Sequence, residues 1–214
     1  MKAGQVAPAA QNQTKQSCKT SPKLSTIYSM PDKPQLYSYF HSSCSWRVRI
    51  ALNLARIEVE QVPIHLARNG GEQHSQDYQK ISPLKQVPTL EIDGLVLTQS
   101  VAIMEYIHDT HPEADILPKD PNMKAKVRMI AGMICSGIQP MQNLCVMQRY
   151  SQDQGERMLW SKHWVALGLR ALEKVLEKTA RKYCVGDMVT MADCCLGSKA
   201  PCATGHQYLI FKIN

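Results

Sequence analysis

The sequence predicts an α/β unit followed by an all-helical one, and three observations carry that reading. Between residues 34 and 114 short β-prone runs and capped helical stretches follow the order β-α-β, then β-β-α. The stretch from Pro112 to Pro121, with Pro118 between, is a proline-rich break. After it, apolar residues recur at helical spacing.

Residues 1–33 are rich in Gln, Ser, Thr, Ala, Pro and Lys and read as a flexible basic tail. Leu36, Tyr37 and Tyr39 then form a short strand. Ser42, Ser43 and Ser45 offer caps for a largely apolar helix through Val48, Ala51, Leu52 and Ala55. A strand over Val59–Ile64 completes a crossover of parallel βαβ size. Ser82 and Pro83 close a short helical turn, and Val87–Ile92 reads as a strand entered through a proline. Asp93-Gly94 is a hairpin signal, so Leu95–Leu97 returns antiparallel. Ser100 is expected to cap a helix carrying Val101, Ile103, Met104 and Ile107.

The domains therefore fall at 34–114 and 122–196, with a linker over 115–121. In the second domain Met123–Ile138 is helical. A longer helix places Trp160, Trp164, Leu167, Ala171 and Val175 on one stripe. Thr190 to Asp193 fits a capping box with the acid at N3. Gly197, Ser198, Pro201 and Gly205 then interrupt the apolar run, so residues 197–214 read as a divergent tail.

The formal charge of +7 invites a nucleic-acid reading that its distribution removes. Four lysines before residue 32 and two after residue 193, with no acid in either segment, leave the middle nearly neutral. No apolar run reaches a membrane span and no secretory h-region is present, so neither a membrane nor nucleic acid is expected as a partner. The acid-poor tail resembles a mitochondrial presequence but lacks arginine, so a cytoplasmic location is expected, with the mitochondrion as the alternative. Eight scattered cysteines in a chain of this length are expected to be reduced thiols. His108 and His111 have metal-ligand spacing but no third ligand, so no metal is expected. Motifs for hydrolase, P-loop or dinucleotide chemistry are missing.

The chemistry-bearing stretch is Ser42-Ser43-Cys44-Ser45-Trp46-Arg47, where a strand hands over to a helix N-terminus. Free N–H groups and the positive dipole end stabilise an anion there, whether the thiolate of Cys44 or that of a bound ligand. The plain alternative is a set of capping serines beside a small buried cysteine. Val87-Pro88 is either an ordinary loop proline or a cis peptide that leaves the Val87 backbone able to pair with a peptide-like ligand. Gln99-Ser100 offers a second helix N-terminus, suited to a carboxylate.

These segments resemble one family closely. Leu36–Tyr39, the run Ser42 to Leu52, Lys85-Gln86-Val87-Pro88-Thr89-Leu90 and Gln99-Ser100 are similar to the zeta class of glutathione transferases, the maleylacetoacetate isomerases. So are Gly137-Ile138-Gln139-Pro140, Gln142-Asn143-Leu144, Tyr183 to Asp187 and Thr190 to Asp193, which extends the match over residues 34–196. The resemblance implies a thioredoxin-like N-terminal domain, a helical glutathione-transferase domain that is shortened here, and a homodimer with glutathione as cofactor. It implies that Ser42 holds and helps ionise the glutathione sulfur, with Ser43, Cys44, Ser45 and Trp46 beside it and Arg47 drawing in an anionic substrate. Gln73 would meet the glycyl end, Val87 the cysteinyl backbone, and Gln99 and Ser100 the γ-glutamyl end. Gln139, Asn143, Leu144 and Cys145 would approach from the helical domain. The implied reactions are isomerisation of maleylacetoacetate to fumarylacetoacetate, in phenylalanine and tyrosine breakdown, and halide displacement from small α-haloacids. Three departures stand out: His41 and Cys145 replace an arginine and a serine of the family pattern, and the segment after Leu196 is unrelated. An altered end implies lower stability, so a glutathione-binding but weakly active variant and a non-enzymatic thioredoxin-like module are the alternatives.

Overall fold

A four-stranded sheet organises the first half of the computed structural model, which describes residues 33–198. The expected basic tail over 1–33 and divergent tail over 197–214 lie outside the described residues except for 33, 197 and 198. Strand β1 (Gln35–Ser38), helix α1 (Ser43–Leu54) and strand β2 (Glu60–Pro63) form a parallel βαβ unit with Gln35 opposite Glu60. Two 3₁₀ turns and helix α2 (Gln76–Ile81) lead to β3 (Thr89–Ile92), antiparallel to β1. Strand β4 (Leu95–Thr98) returns along β3, giving the order β2-β1-β3-β4. The turn between them has both φ positive, 51° at Asp93 and 78° at Gly94, as a two-residue Asp-Gly hairpin requires. Helix α3 (Ser100–Thr110) follows, and its Ile103, Met104 and Ile107 join Val48, Ala51, Leu36 and Leu90 in one apolar core.

Between α3 and the next helix the chain has no helix or strand, yet it is held firmly. Ala114, Ile116 and Leu117 are buried, and the Ile116 carbonyl accepts from Met191 N at 2.8 Å. Asp120 then caps α4 (Pro121–Gly132), accepting from Met123 N, with proline at the first helical position. Helix α4 widens into a π-helical turn, Met133–Ile138, that ends on an i to i+5 bond from Gln139 N to Ile134 O at 2.9 Å. A 3₁₀ turn at Pro140–Gln142, α5 (Leu144–Tyr150), α6 (Gln154–Thr179) and α7 (Met191–Gly197) complete the helical half.

The expected face of α6 needs correction. Its buried residues are Leu172 and Leu176, whereas Leu167 is 46% exposed and Ala171 lies on the outside. Steps of three and four along so long a helix drift around it, and the packing partner decides which side is covered. That partner is the π-helical turn. A Cβ added at Gly168 would lie 2.5 Å from Cγ1 of Ile138, which is itself 2% exposed. Gly168→Ala is therefore expected to destabilise. Overpacking of roughly 1–3 kcal/mol exceeds a helix-propensity gain of about 1 kcal/mol. Urea unfolding checks this, and the loss should shrink in an Ile138→Ala background if the clash is its cause.

Helix α7 is core rather than cover. Thr190 N and Oγ1 both donate to Asp193 Oδ2, at 2.8 and 2.7 Å, closing the predicted capping box. Met191, Ala192, Cys194, Cys195 and Leu196 are all buried. Burial, then the Asp193 carboxylate, push the Cys184 thiol up, and the same causes push Cys194 up to about 12. Cys195 is raised by its hydrogen bond with Cys135 and by burial. An acid whose folded pKa is raised stabilises the fold below its unfolded pKa, and that contribution is lost as pH rises toward the folded one. Unfolding free energy should thus fall as pH rises from about 9 toward 12, by roughly 1.5–2 kcal/mol for a thiol such as Cys194 at pH 10. Urea midpoints at pH 7 and pH 10 test this: Cys194→Ala should lose less than the parent, and equal losses would refute the thiol origin.

Candidate active site

Strand β1 ends at Ser38, and the chain turns through Tyr39, Phe40 and His41 into α1, with Ser42 N donating to Tyr39 O at 3.0 Å. Ser42 has extended backbone (φ −80°, ψ 113°) and its Oγ accepts from Ser45 N at 3.2 Å, so it is the N-cap. With that lone pair used inward, its O–H proton remains to donate outward beyond the helix end. Ser42, Cys44 and Trp46 are partly exposed, whereas Ser43 and Ser45 are buried. Ser45 Oγ accepts from Tyr39 N at 3.5 Å, and Trp46 Nε1 donates to Phe40 O at 2.7 Å. These two side chains brace the turn from inside. His41 is exposed, its ring 4.1 Å from that of Phe40.

Arg47, expected to meet an anionic substrate, is instead turned inward and is 2% exposed. Its Nη1 donates to Ser100 Oγ at 3.1 Å and approaches Cys44 Sγ at 3.7 Å. Nε and Nη2 are buried with no hydrogen-bond partner among the described residues. The reason is placement: on α1 residue 47 lies on the face of Val48 and Ala51 that packs against α3, and Ser100 is the polar group there. Ser100 is also corrected. It opens α3 rather than capping it, while Gln99 occupies the cap position with φ 71° and makes no side-chain cap bond. A left-handed φ at a non-glycine residue stores strain and holds the α3 N-terminus at a fixed angle. Arg47 thus ties together the two helix N-termini that the sequence marked separately.

The third wall is the entry to β3. Val87–Pro88 is a cis peptide, and the loop before it is clamped. Tyr78 Oη and Ser82 Oγ both donate to Gln86 O, at 2.7 and 2.9 Å, and Tyr78 Oη lies 3.0 Å from Thr89 Oγ1. Burial pushes the Tyr78 hydroxyl above its ordinary pKa, so it stays a donor. Sequence reading missed this clamp, because nothing local marks a tyrosine for a backbone carbonyl eight residues away.

Gln73 is 8% exposed in the turn after Gly71. Its Nε2 donates to Leu66 O at 3.3 Å, and its Oε1 is buried without a partner among the described residues. Gly71, with φ 100°, leaves the space this amide occupies, since a Cβ there would lie 2.5 Å from Nε2. On the helical side Gln139 and Asn143 are partly buried, while Leu144 and Cys145 are exposed. Asn143 caps α5, its Oδ1 accepting from Cys145 N and from Cys145 Sγ, both at 3.3 Å. A cleft of about 420 Å³ lined by Tyr39, Phe40, Arg49, Gln61 and His65 includes none of Ser42, Cys44 or Ser100. Among the described residues no His, Cys, Asp and Glu cluster could hold a metal ion, and no helix is long and apolar enough to cross a membrane. The His108 ring lies 3.1 Å from Ala114 O.

This sheet, with a cis proline entering β3 and followed by a helical half, is the thioredoxin-like architecture on which glutathione transferases are built. The family described as Glutathione S-transferase, N-terminal domain, matches residues 33–109. Mouse maleylacetoacetate isomerase is 54% identical over 164 residues, covering 77% of this chain and 75% of the relative. A probable maleylacetoacetate isomerase 2 of Drosophila melanogaster is 52% identical, covering 77% and 71%. Among solved structures, maleylacetoacetate isomerase from Anaeromyxobacter dehalogenans with bound glutathione aligns with a TM-score of 0.71 at 38% identity, over 80% of this chain and 81% of the other. A bacterial zeta-class maleyl pyruvate isomerase aligns with 0.74 at 30% identity, over 79% and 82%. The chain belongs to the zeta class of glutathione transferases, the maleylacetoacetate isomerase family, whose enzymes depend on glutathione.

Proposed function

We propose that this chain catalyses the glutathione-dependent cis–trans isomerisation of maleylacetoacetate to fumarylacetoacetate, a step in phenylalanine and tyrosine breakdown. The observation that carries the reading is the junction of two helix N-termini through Arg47 and Ser100, beside an N-capping Ser42 whose Oγ accepts from Ser45 N and so keeps its proton available to donate. The residues fit a γ-glutamyl tripeptide. Gln99 and Ser100 open one anion-favouring helix end, Val87 brings a backbone flanked by a cis proline, and Gln73 brings a buried acceptor with no partner among the described residues. Bound there, glutathione supplies a soft thiolate for reversible addition to the electron-poor double bond, which permits rotation before elimination.

Ser42 donates to the sulfur, and the α1 N-terminus lowers the cost of its negative charge. Ser43 and Cys44 flank that position, while Ser45 and Trp46 hold the turn through Tyr39 and Phe40. Arg47 acts through Ser100 and Cys44 instead of touching substrate. Gln139, Asn143, Leu144 and Cys145 contribute the helical-domain side of the ligand site. The same thiolate displaces halide from small α-haloacids, and the working unit is a homodimer.

The test is glutathione-dependent conversion of maleylacetoacetate beside glutathione binding by calorimetry. Turnover with binding supports the reading. Binding without turnover favours a ligand-holding variant, and the absence of both leaves a thioredoxin-like interaction module.

A further inference from the structure

The geometry points to a disulfide-forming site at Cys135 and Cys195, oxidised by a low-molecular-weight disulfide such as glutathione disulfide and distinct from the cysteine of the α1 motif. The two sulfurs lie 3.6 Å apart, brought together by elements 60 residues distant in the chain. A disulfide bond is ~2.05 Å long, so closure needs one side to move by about 1.5 Å. The site provides that movement on one side only. Cys135 sits at the partly exposed side of the π-helical turn, next to exposed Ser136 and two residues before Gly137, whose backbone can adjust at little steric cost. Cys195 is fixed on α7, fully buried between the capping box and the core.

Access sets the order of events. Cys135 is partly exposed, and Cys195 is 0% exposed with its thiol raised by the contact with Cys135 and by burial. The Cys135 thiolate attacks one sulfur of glutathione disulfide, forming a mixed disulfide and releasing one glutathione thiolate, which takes up the proton Cys135 gave to solvent. Cys195 then attacks Cys135 Sγ. Its proton leaves to water, the Cys135–Cys195 bond forms and the second glutathione departs as thiolate. Two protein thiols are oxidised and one glutathione disulfide is reduced to two glutathiones. The bond ties the turn leading into Gln139 and Asn143 to α7, which packs on α1. This inference rests on the sulfur geometry and not on the proposed isomerase reaction.

The experiment incubates the full chain in glutathione buffers of rising oxidised-to-reduced ratio, quenches in acid, alkylates remaining thiols and maps peptides by mass spectrometry. Expected are the loss of Cys135 and Cys195 alkylation together, with one midpoint, and a peptide linking the two. Cys44→Ser should leave that linkage unchanged. Cys195→Ala should trap a glutathionyl group on Cys135, and Cys135→Ser, at a partly exposed position, should leave Cys195 unmodified at every ratio. A stable glutathionyl group on Cys135 of the parent chain with no linked peptide overturns the proposal. So does a linkage between other cysteines, or full alkylation of both thiols throughout.

Discussion

Ser42→Gly is expected to lower glutathione-dependent turnover by roughly 10²–10³-fold while changing unfolding free energy by only a few tenths of a kcal/mol. The first figure is the usual effect of removing one donor from a site where negative charge develops. The second follows from the N-cap role. Ser42 Oγ accepts from Ser45 N at 3.2 Å, and glycine is nearly as good a cap as serine, whereas alanine costs about 1 kcal/mol. Comparing the two variants separates the roles. If the hydroxyl acts on the sulfur, Ser42→Gly and Ser42→Ala lose activity alike although only the alanine variant is less stable. If Ser42 only builds the helix, the glycine variant keeps most of its turnover, and the sulfur assignment is wrong. A second readout is the pH profile of turnover. Losing a donor to the thiolate should move its acid limb upward, which a purely structural loss would not do.

Much of the α/β half is legible in the sequence because its signals are local. Asp93-Gly94 names its own turn, since two positive φ values are cheap only for such residues. Thr190 and Asp193 sit at the spacing where each can reach the other's backbone. The strand to helix handover at Ser42 is readable from serines before an apolar run. Other features depend on what a distant segment provides. The buried side of α6 is decided by the packing of Gly168 against Ile138, a residue outside that helix, so spacing within α6 alone points to the wrong stripe. The inward turn of Arg47 depends on Ser100, 53 positions later, and the pairing of Cys135 with Cys195 depends on where α7 docks. A basic residue after a serine-cysteine motif reads as a ligand contact from sequence, because the sequence does not show which helix will cover it. Ser100 reads as a cap for the same reason: hydroxyls favour that position, but the left-handed φ of Gln99 displaces it by one residue and gives its oxygen to Arg47.

Arg47→Met carries the opposite signature to an ordinary core substitution: stability unchanged or higher, function lower. A guanidinium keeps its charge throughout the working pH range. Here it is 2% exposed, its hydrogen-bond contacts are a serine hydroxyl and a cysteine sulfur, and two of its nitrogens have no partner. None of the four ion pairs among the described residues includes it. The fold therefore bears much of the desolvation cost of a buried charge that has no ion-pair partner among the described residues, a cost of several kcal/mol. Methionine fills a similar unbranched volume with no charge to desolvate, so unfolding free energy should stay level or rise by about 1–4 kcal/mol. Function should move the other way. With Arg47 donating to Ser100 Oγ, the serine proton stays available to donate at the α3 N-terminus, and the nearby positive charge favours an anion there. A hydrogen bond to a charged group is worth ~1.5–3 kcal/mol, which converts to roughly 10- to 100-fold. Glutathione affinity and the KM for glutathione should weaken by that factor, with kcat at saturating glutathione changing less. Calorimetry and urea unfolding on the same variant decide the matter. An Arg47→Met variant that unfolds several kcal/mol more easily but binds glutathione normally would make Arg47 a structural strut, because a positioning residue for the anion cannot lose its charge without a cost in binding.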